Sequence, residues 1–117
     1  MLIVMGALAG LAGVGLSAAA AHAPGGANLE TAARFLLFHA PALLGIAALA
    51  ETGAVHPSFG RLAGWLLAIG LVLFCGDLVL RAWRNAPLFP MAAPLGGIVL
   101  MGGWATVALA ALSRLWR

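Results

Sequence analysis

Runs of about twenty residues pass along this chain with scarcely a charged side chain, and that constrains its fold more than any other feature. Between Met1 and Ala21 there is no ionisable side chain at all. Three further runs cover about Thr31 to Ala50, Arg61 to Leu80 and Met91 to Leu112. A helix needs about 20 largely apolar residues to cross about 30 Å of hydrocarbon. The predicted fold is therefore all-α, an integral membrane up-down bundle of four transmembrane helices, with residues 1–117 as a single membrane domain. Closed β-barrels are excluded, because the runs are continuous and rich in Ala, Leu and Gly rather than alternating.

Composition removes most soluble classes. The chain is 64% apolar and 8% charged over 117 residues, where soluble domains carry about 25% charge. So few polar groups cannot cover a soluble domain of this size. The net charge of +3 comes from six arginines and no lysine; these are scattered, form no basic stripe, and predict no nucleic-acid partner. The loops are short, so any chemistry is expected within the bilayer or at its surface. Ala21-His22-Ala23 has the form of a signal cleavage site. No positive charge precedes it, and the apolar run exceeds the about 7–15 residues of a signal core, so the run is expected to stay as a helix.

Local signals mark the span ends. Asn28 is the predicted N-cap of the second helix, with Glu30 near the favourable end of its dipole and Arg34 four residues on. Sixteen residues separate Arg34 from Glu51, about 24 Å of helix, so both charges must snorkel or the bilayer must thin. Pro41 removes one backbone hydrogen bond and predicts a kink near Phe38. Residues 51–58 and 85–90 read as loops by their Gly, Pro and Ser content. Trp65, Trp83 and Trp116 fall where interface anchors belong, whereas Trp104 falls within the fourth span. Arginines divide three against three: Arg61, Arg114 and Arg117 at the end shared by the termini, and Arg34, Arg81 and Arg84 at the other. The arginine pair near the C-terminus tilts the expected orientation toward both termini in the cytoplasm. A plasma (inner) membrane is the expected location.

Lipid tails are as apolar as leucine, so helix association must come from close packing and internal polar contacts. Small-xxx-small spacing appears at Gly6-xxx-Gly10, Ala9-xxx-Gly13 and Gly60-xxx-Gly64, and Gly96-Gly97 and Gly102-Gly103 thin the fourth helix. Gly6, Gly10, Gly13, Gly60, Gly64, Gly96 and Gly97 are the expected packing positions. Most serve a tight bundle on this reading, while a face turned to a partner protein is the sharper alternative.

Polar groups inside a span are costly and mark candidate function. The up-down topology gathers His22, Glu30, Arg34, Asp77 and Arg81 near one membrane surface, with His39 just beneath. One reading is a structural clasp, in which Asp77 pairs with Arg81 or Arg34 and His39 bonds a carbonyl freed by Pro41. The other is a proton relay or ligand site on His39 and Asp77. No cofactor is expected: His22 and His39 differ in depth by roughly two turns, too much for a haem held between facing helices. His56 belongs to the opposite end, and the lone Cys75 makes neither a disulfide nor a zinc site. No Ser-His-Asp array, phosphate loop or carboxylate pair is present, so no enzyme is expected.

Several segments carry a resemblance. Gly15 through Ala21-His22, Thr31-Ala-Ala-Arg-Phe-Leu-Leu-Phe-His39, Gly64-Trp65, Gly70-Leu-Val-Leu-Phe-Cys-Gly76, Pro94-Leu-Gly-Gly97 and Gly103-Trp104 follow in order across nearly the whole chain. They resemble domain-of-unknown-function family 423, small bacterial four-helix membrane proteins related to eukaryotic transmembrane protein 256. The resemblance implies a four-helix membrane fold and no defined activity. Two departures stand out. Ala23-Pro24 replaces the family's usual glycine, and Cys75-Gly76-Asp77-Leu78-Val79 stands where the family has Ser-Gly-Ser-Leu-Tyr. A carboxylate thus replaces a hydroxyl at Asp77.

The leading functional expectation is an accessory subunit packed against other membrane-protein subunits, as in a respiratory or transport complex. A small proton-linked transporter or channel is the alternative, although the polar groups cluster at one surface rather than through the depth. A third is a quinone or lipid-headgroup module at His39, Asp77 and Arg34.

Overall fold

The computed structural model describes residues 1–116; Arg117, counted in the charge balance, lies outside the described residues. Among them are four helices: α1 (Leu2–His22), α2 (Gly26–Glu51), α3 (Pro57–Arg84) and α4 (Ala92–Leu115). All four are long and apolar enough to cross a membrane. The helices outrun the apolar runs. Pro57 begins α3, where its fixed φ and missing N–H cost nothing, and the chain stays helical to Arg84. The N-cap of α2 is Gly25 rather than Asn28, which lies inside the first turn. Gly25 sits at φ 77°, and a Cβ there would come within 3.0 Å of the Ala82 backbone. Both the left-handed backbone and the close approach select glycine. α2 runs unbroken through Pro41.

The helices alternate in direction and pack in chain order, α1 on α2, α2 on α3 and α3 on α4. α2 and α3 form the centre, with Leu29, Leu43 and Leu67 fully buried between neighbours. α1 and α4 flank them and do not pack on each other; α1 touches α3 only lightly. The extents, 52 × 26 × 19 Å, describe a flattened bundle whose long axis exceeds the roughly 40–45 Å of a whole bilayer.

Glycines set the close approaches. Gly6 faces Leu44 and the Ala40 carbonyl, Gly10 faces Ala40, and Gly13 lies against Leu36 and Leu37, so α1 seats on α2 through these three. Gly64 receives Leu2, the point where α1 meets α3, and Gly60 packs on Ala50 and Val55. The closest approach of backbone to backbone joins α3 to α4. A Cβ on Gly96 would lie 2.6 Å from the Phe74 nitrogen, and one on Gly70 2.9 Å from the Gly96 oxygen. Gly97, expected to pack, has open space where its side chain would be, as do Gly15, Gly45 and Gly102. Gly70 and Gly103, the latter against Leu67, carry contacts that the spacing motifs did not single out.

Candidate functional site: two polar knots in the membrane

The six polar residues expected to gather at one surface divide into separate groups. Glu30 and Arg34 pair with each other along α2, with side chains 57% and 67% exposed. Such an exposed i,i+4 pair contributes about 0.3–0.5 kcal/mol. His22 ends α1 and is exposed. Arg34 therefore does not reach Asp77, and the expected convergence of charge resolves into neighbouring but unconnected pairs.

Asp77 is the buried member, with no exposed surface. Its Oδ2 accepts from Arg81 Nε at 2.7 Å, while its Oδ1 accepts from the Leu88 backbone N–H at 2.8 Å. The first bond follows from i,i+4 spacing on α3. The second reaches across to the α3–α4 loop, whose ends, Asn85 and Met91, both sit at positive φ. A loop with this backbone cannot satisfy its own N–H groups as a helix does, and a carboxylate supplies the missing acceptor. Asp77 thus ties the loop to the helix that precedes it.

His39, on α2, is 6% exposed. Nδ1 lies 2.7 Å from the Phe35 carbonyl, and Nε2 lies 3.2 Å from Trp104 Nε1 on α4. An indole nitrogen only donates and a carbonyl only accepts, so the ring is neutral, with its proton on Nδ1. The expected partner, the carbonyl left free by Pro41, belongs to Leu37; the bond goes instead to Phe35, one turn back along the helix. Phe35 stacks on His39 and meets Phe74 with ring centroids 4.4 Å apart. The histidine joins α2 to α4 across a short aromatic patch and shares no hydrogen-bond partner with Asp77.

At the opposite end, the His56 N–H donates to the Ala110 carbonyl at 3.1 Å and Arg114 donates to the Gly53 carbonyl. These bonds fasten the α2–α3 loop to α4. Cys75 is buried, its thiol 3.5 Å from the Ala32 carbonyl. Chemically, both deep polar residues are closed: each polar atom of the His39 ring and the Asp77 carboxylate has a partner from this chain.

Comparison with known proteins agrees with this architecture. The family model for a protein of unknown function, DUF423, matches residues 16–97. The UPF0382 membrane protein YwdK of Bacillus subtilis is 31% identical over 120 residues, covering 97% of each chain. The UPF0382 membrane protein SERP0230 of Staphylococcus epidermidis is 30% identical, over 94% of this chain and 93% of that protein. The UPF0382 inner membrane protein YgdD of Escherichia coli is 29% identical, over 72% of this chain and 63% of that protein. No solved structure matches the chain. The matched segment runs from the last third of α1 through α2 and α3 to the glycine seam at the start of α4, and the chain belongs to the DUF423 family of multi-pass membrane proteins.

Proposed function

We propose that the protein is a non-catalytic accessory subunit of the inner membrane, acting by packing against a larger membrane assembly. The observation that carries this reading is the closure of both deep polar groups. His39 spends its ring on Phe35 and Trp104, and Asp77 spends its carboxylate on Arg81 and Leu88. Neither leaves an atom free for a substrate or a travelling proton. What the chain offers its surroundings at membrane depth is apolar surface, broadest on the flanking helices: Leu8, Leu11 and Val14 of α1 and Ile98, Met101 and Leu109 of α4 are all exposed. Membrane subunits associate through such surfaces by packing rather than by a hydrophobic driving force.

The test is purification of the tagged chain after gentle solubilisation. Stoichiometric recovery of larger membrane subunits is the expected result. A lone monodisperse monomer across several mild extractions overturns the reading. Loss of proton-coupled flux in liposomes on Asp77→Asn or His39→Ala would put a transporter in its place.

A further inference from the structure

A second apolar feature of the bundle is a groove about as long as one leaflet is deep. Between α1 and α3 lies a groove of about 470 Å³, open to the side. Leu8, Ala12 and Leu16 form one wall, and Val72, Gly76 and Leu80 the other. It exists because α1 packs on α3 only lightly, meeting it closely where Gly64 receives Leu2, while the α1–α2 loop returns to α3 at the other end, where Gly25 lies against Ala82. Along α3 the lining runs from Ala68 to Leu80, about 18 Å of helix at about 1.5 Å per residue. That is close to the roughly 15 Å of one leaflet, half of a hydrocarbon core about 30 Å thick. The groove is open along its side to the surrounding membrane and its lining is almost wholly apolar, so a hydrocarbon chain is the occupant its chemistry suits.

The mouth of the groove carries the matching charge. Leu88, held by its N–H on Asp77, closes the lining at the loop end. Trp83 and Arg84 lie three and four residues beyond Leu80, so they stand over the groove at the level of the lipid headgroups. Both are exposed. The acidic residues at this end are engaged: Glu30 with Arg34, and Asp77 with Arg81. Arg84 has no acidic partner among the described residues. Tryptophan and arginine together at the interface suit a lipid headgroup, the ring at its depth and the cation on its phosphate.

We propose that the groove is a binding site for one anionic diacyl phospholipid, with an acyl chain between α1 and α3 and its phosphate on Arg84. The site is distinct from the His39, Asp77 and Arg34 region, whose polar atoms are already paired. It requires no protein partner, so it stands or falls apart from the accessory-subunit reading.

The experiment reconstitutes the full chain in vesicles of equimolar phosphatidylglycerol and phosphatidylcholine, followed by release into mild detergent and native mass spectrometry. One retained phosphatidylglycerol per chain is expected. Arg84→Gln, at an exposed position, should lower that retention about fivefold, the worth of one cation near an anionic lipid surface. Ala12→Leu, which extends a side chain into the groove, should abolish it. Gly15→Leu enters open space outside the groove and should leave it unchanged. Equal retention by wild type and Ala12→Leu overturns the site. Equal retention of phosphatidylcholine and phosphatidylglycerol by the wild-type chain overturns the role of Arg84.

Discussion

Asp77 shows how one side chain can hold a loop that backbone geometry leaves unsatisfied. Removing its carboxylate in Asp77→Ala strands the Leu88 N–H and frees Arg81, at a cost of about 1–3 kcal/mol for an unpaired buried donor. Asp77→Asn keeps an oxygen for Leu88 and gives up only the charge, so it should cost clearly less. Thermal unfolding in detergent reads both, and equal losses would mean that the bond to Leu88 carries nothing. The His39 knot gives a second prediction. Trp104→Phe keeps the ring and deletes the donor to Nε2, and interhelical hydrogen bonds of this kind contribute about 0.6–1.7 kcal/mol in membranes. A double-mutant cycle with His39→Leu should return a coupling in that range, and additive effects would refute the bond. The sequence announces both residues, because an ionisable group within an apolar run is conspicuous. It does not announce their partners. Leu88 is an ordinary leucine in a loop, and Trp104 lies 65 residues from His39. One signal was available: an indole N–H deep in a span needs an acceptor, and His39 is the deepest side chain able to accept.

At the scale of the helix, the chain is legible in part for a simple reason. Apolar length reports where hydrocarbon must be crossed, so four spans follow from it. It does not report how far a helix continues into the interface, where polar residues and water permit either outcome. Hence α2 begins near Gly26 instead of Thr31, and α3 runs from Pro57 to Arg84 instead of stopping at Leu80. Depth is likewise legible and azimuth is not: Arg34 and Asp77 share an end of the bundle, yet Arg34 turns toward its own helix surface. Small-residue motifs carry the same blind spot. Gly96 is pressed against Phe74 while its neighbour Gly97 faces open space, and no spacing rule says which of two adjacent glycines turns toward the neighbouring helix. The distinction is measurable. Gly96→Ala drives a Cβ into the α3 backbone, which cannot yield as a flexible side chain can, and should destabilise by about 1–3 kcal/mol. Gly97→Ala meets nothing and should be neutral or stabilise slightly through the lower backbone entropy of alanine. Unfolding of the two variants side by side decides it; equal effects would remove the seam between α3 and α4 from the account.

Taken whole, the molecule is anchored unevenly at its two ends, and this bears on how it sits in the membrane. Orientation follows the lysines and arginines close to the spans, and acidic residues count for little. The loop end carries Arg34, Arg81 and Arg84, while the end shared by the termini carries Arg61, Arg114 and Arg117. A tie in number leaves placement to decide. Arg114 and Arg117 stand together just beyond the last apolar run, next to the C-terminus, and this pair tips the expected orientation toward the cytoplasm for the end holding the termini. A reporter fused after the C-terminus should accordingly be cytoplasmic. Because the bias is small, it should yield to small changes. Arg61→Gln with Arg114→Gln should move a large share of the reporter to the outer face, whereas Arg84→Gln should strengthen the original orientation. A reporter unmoved by the double substitution would show that something other than these arginines orients the chain. The same reasoning locates the proposed lipid site, since with the termini inside, Arg84 and the groove mouth open toward the outer leaflet, and anionic lipid supplied to that leaflet alone should fill the groove.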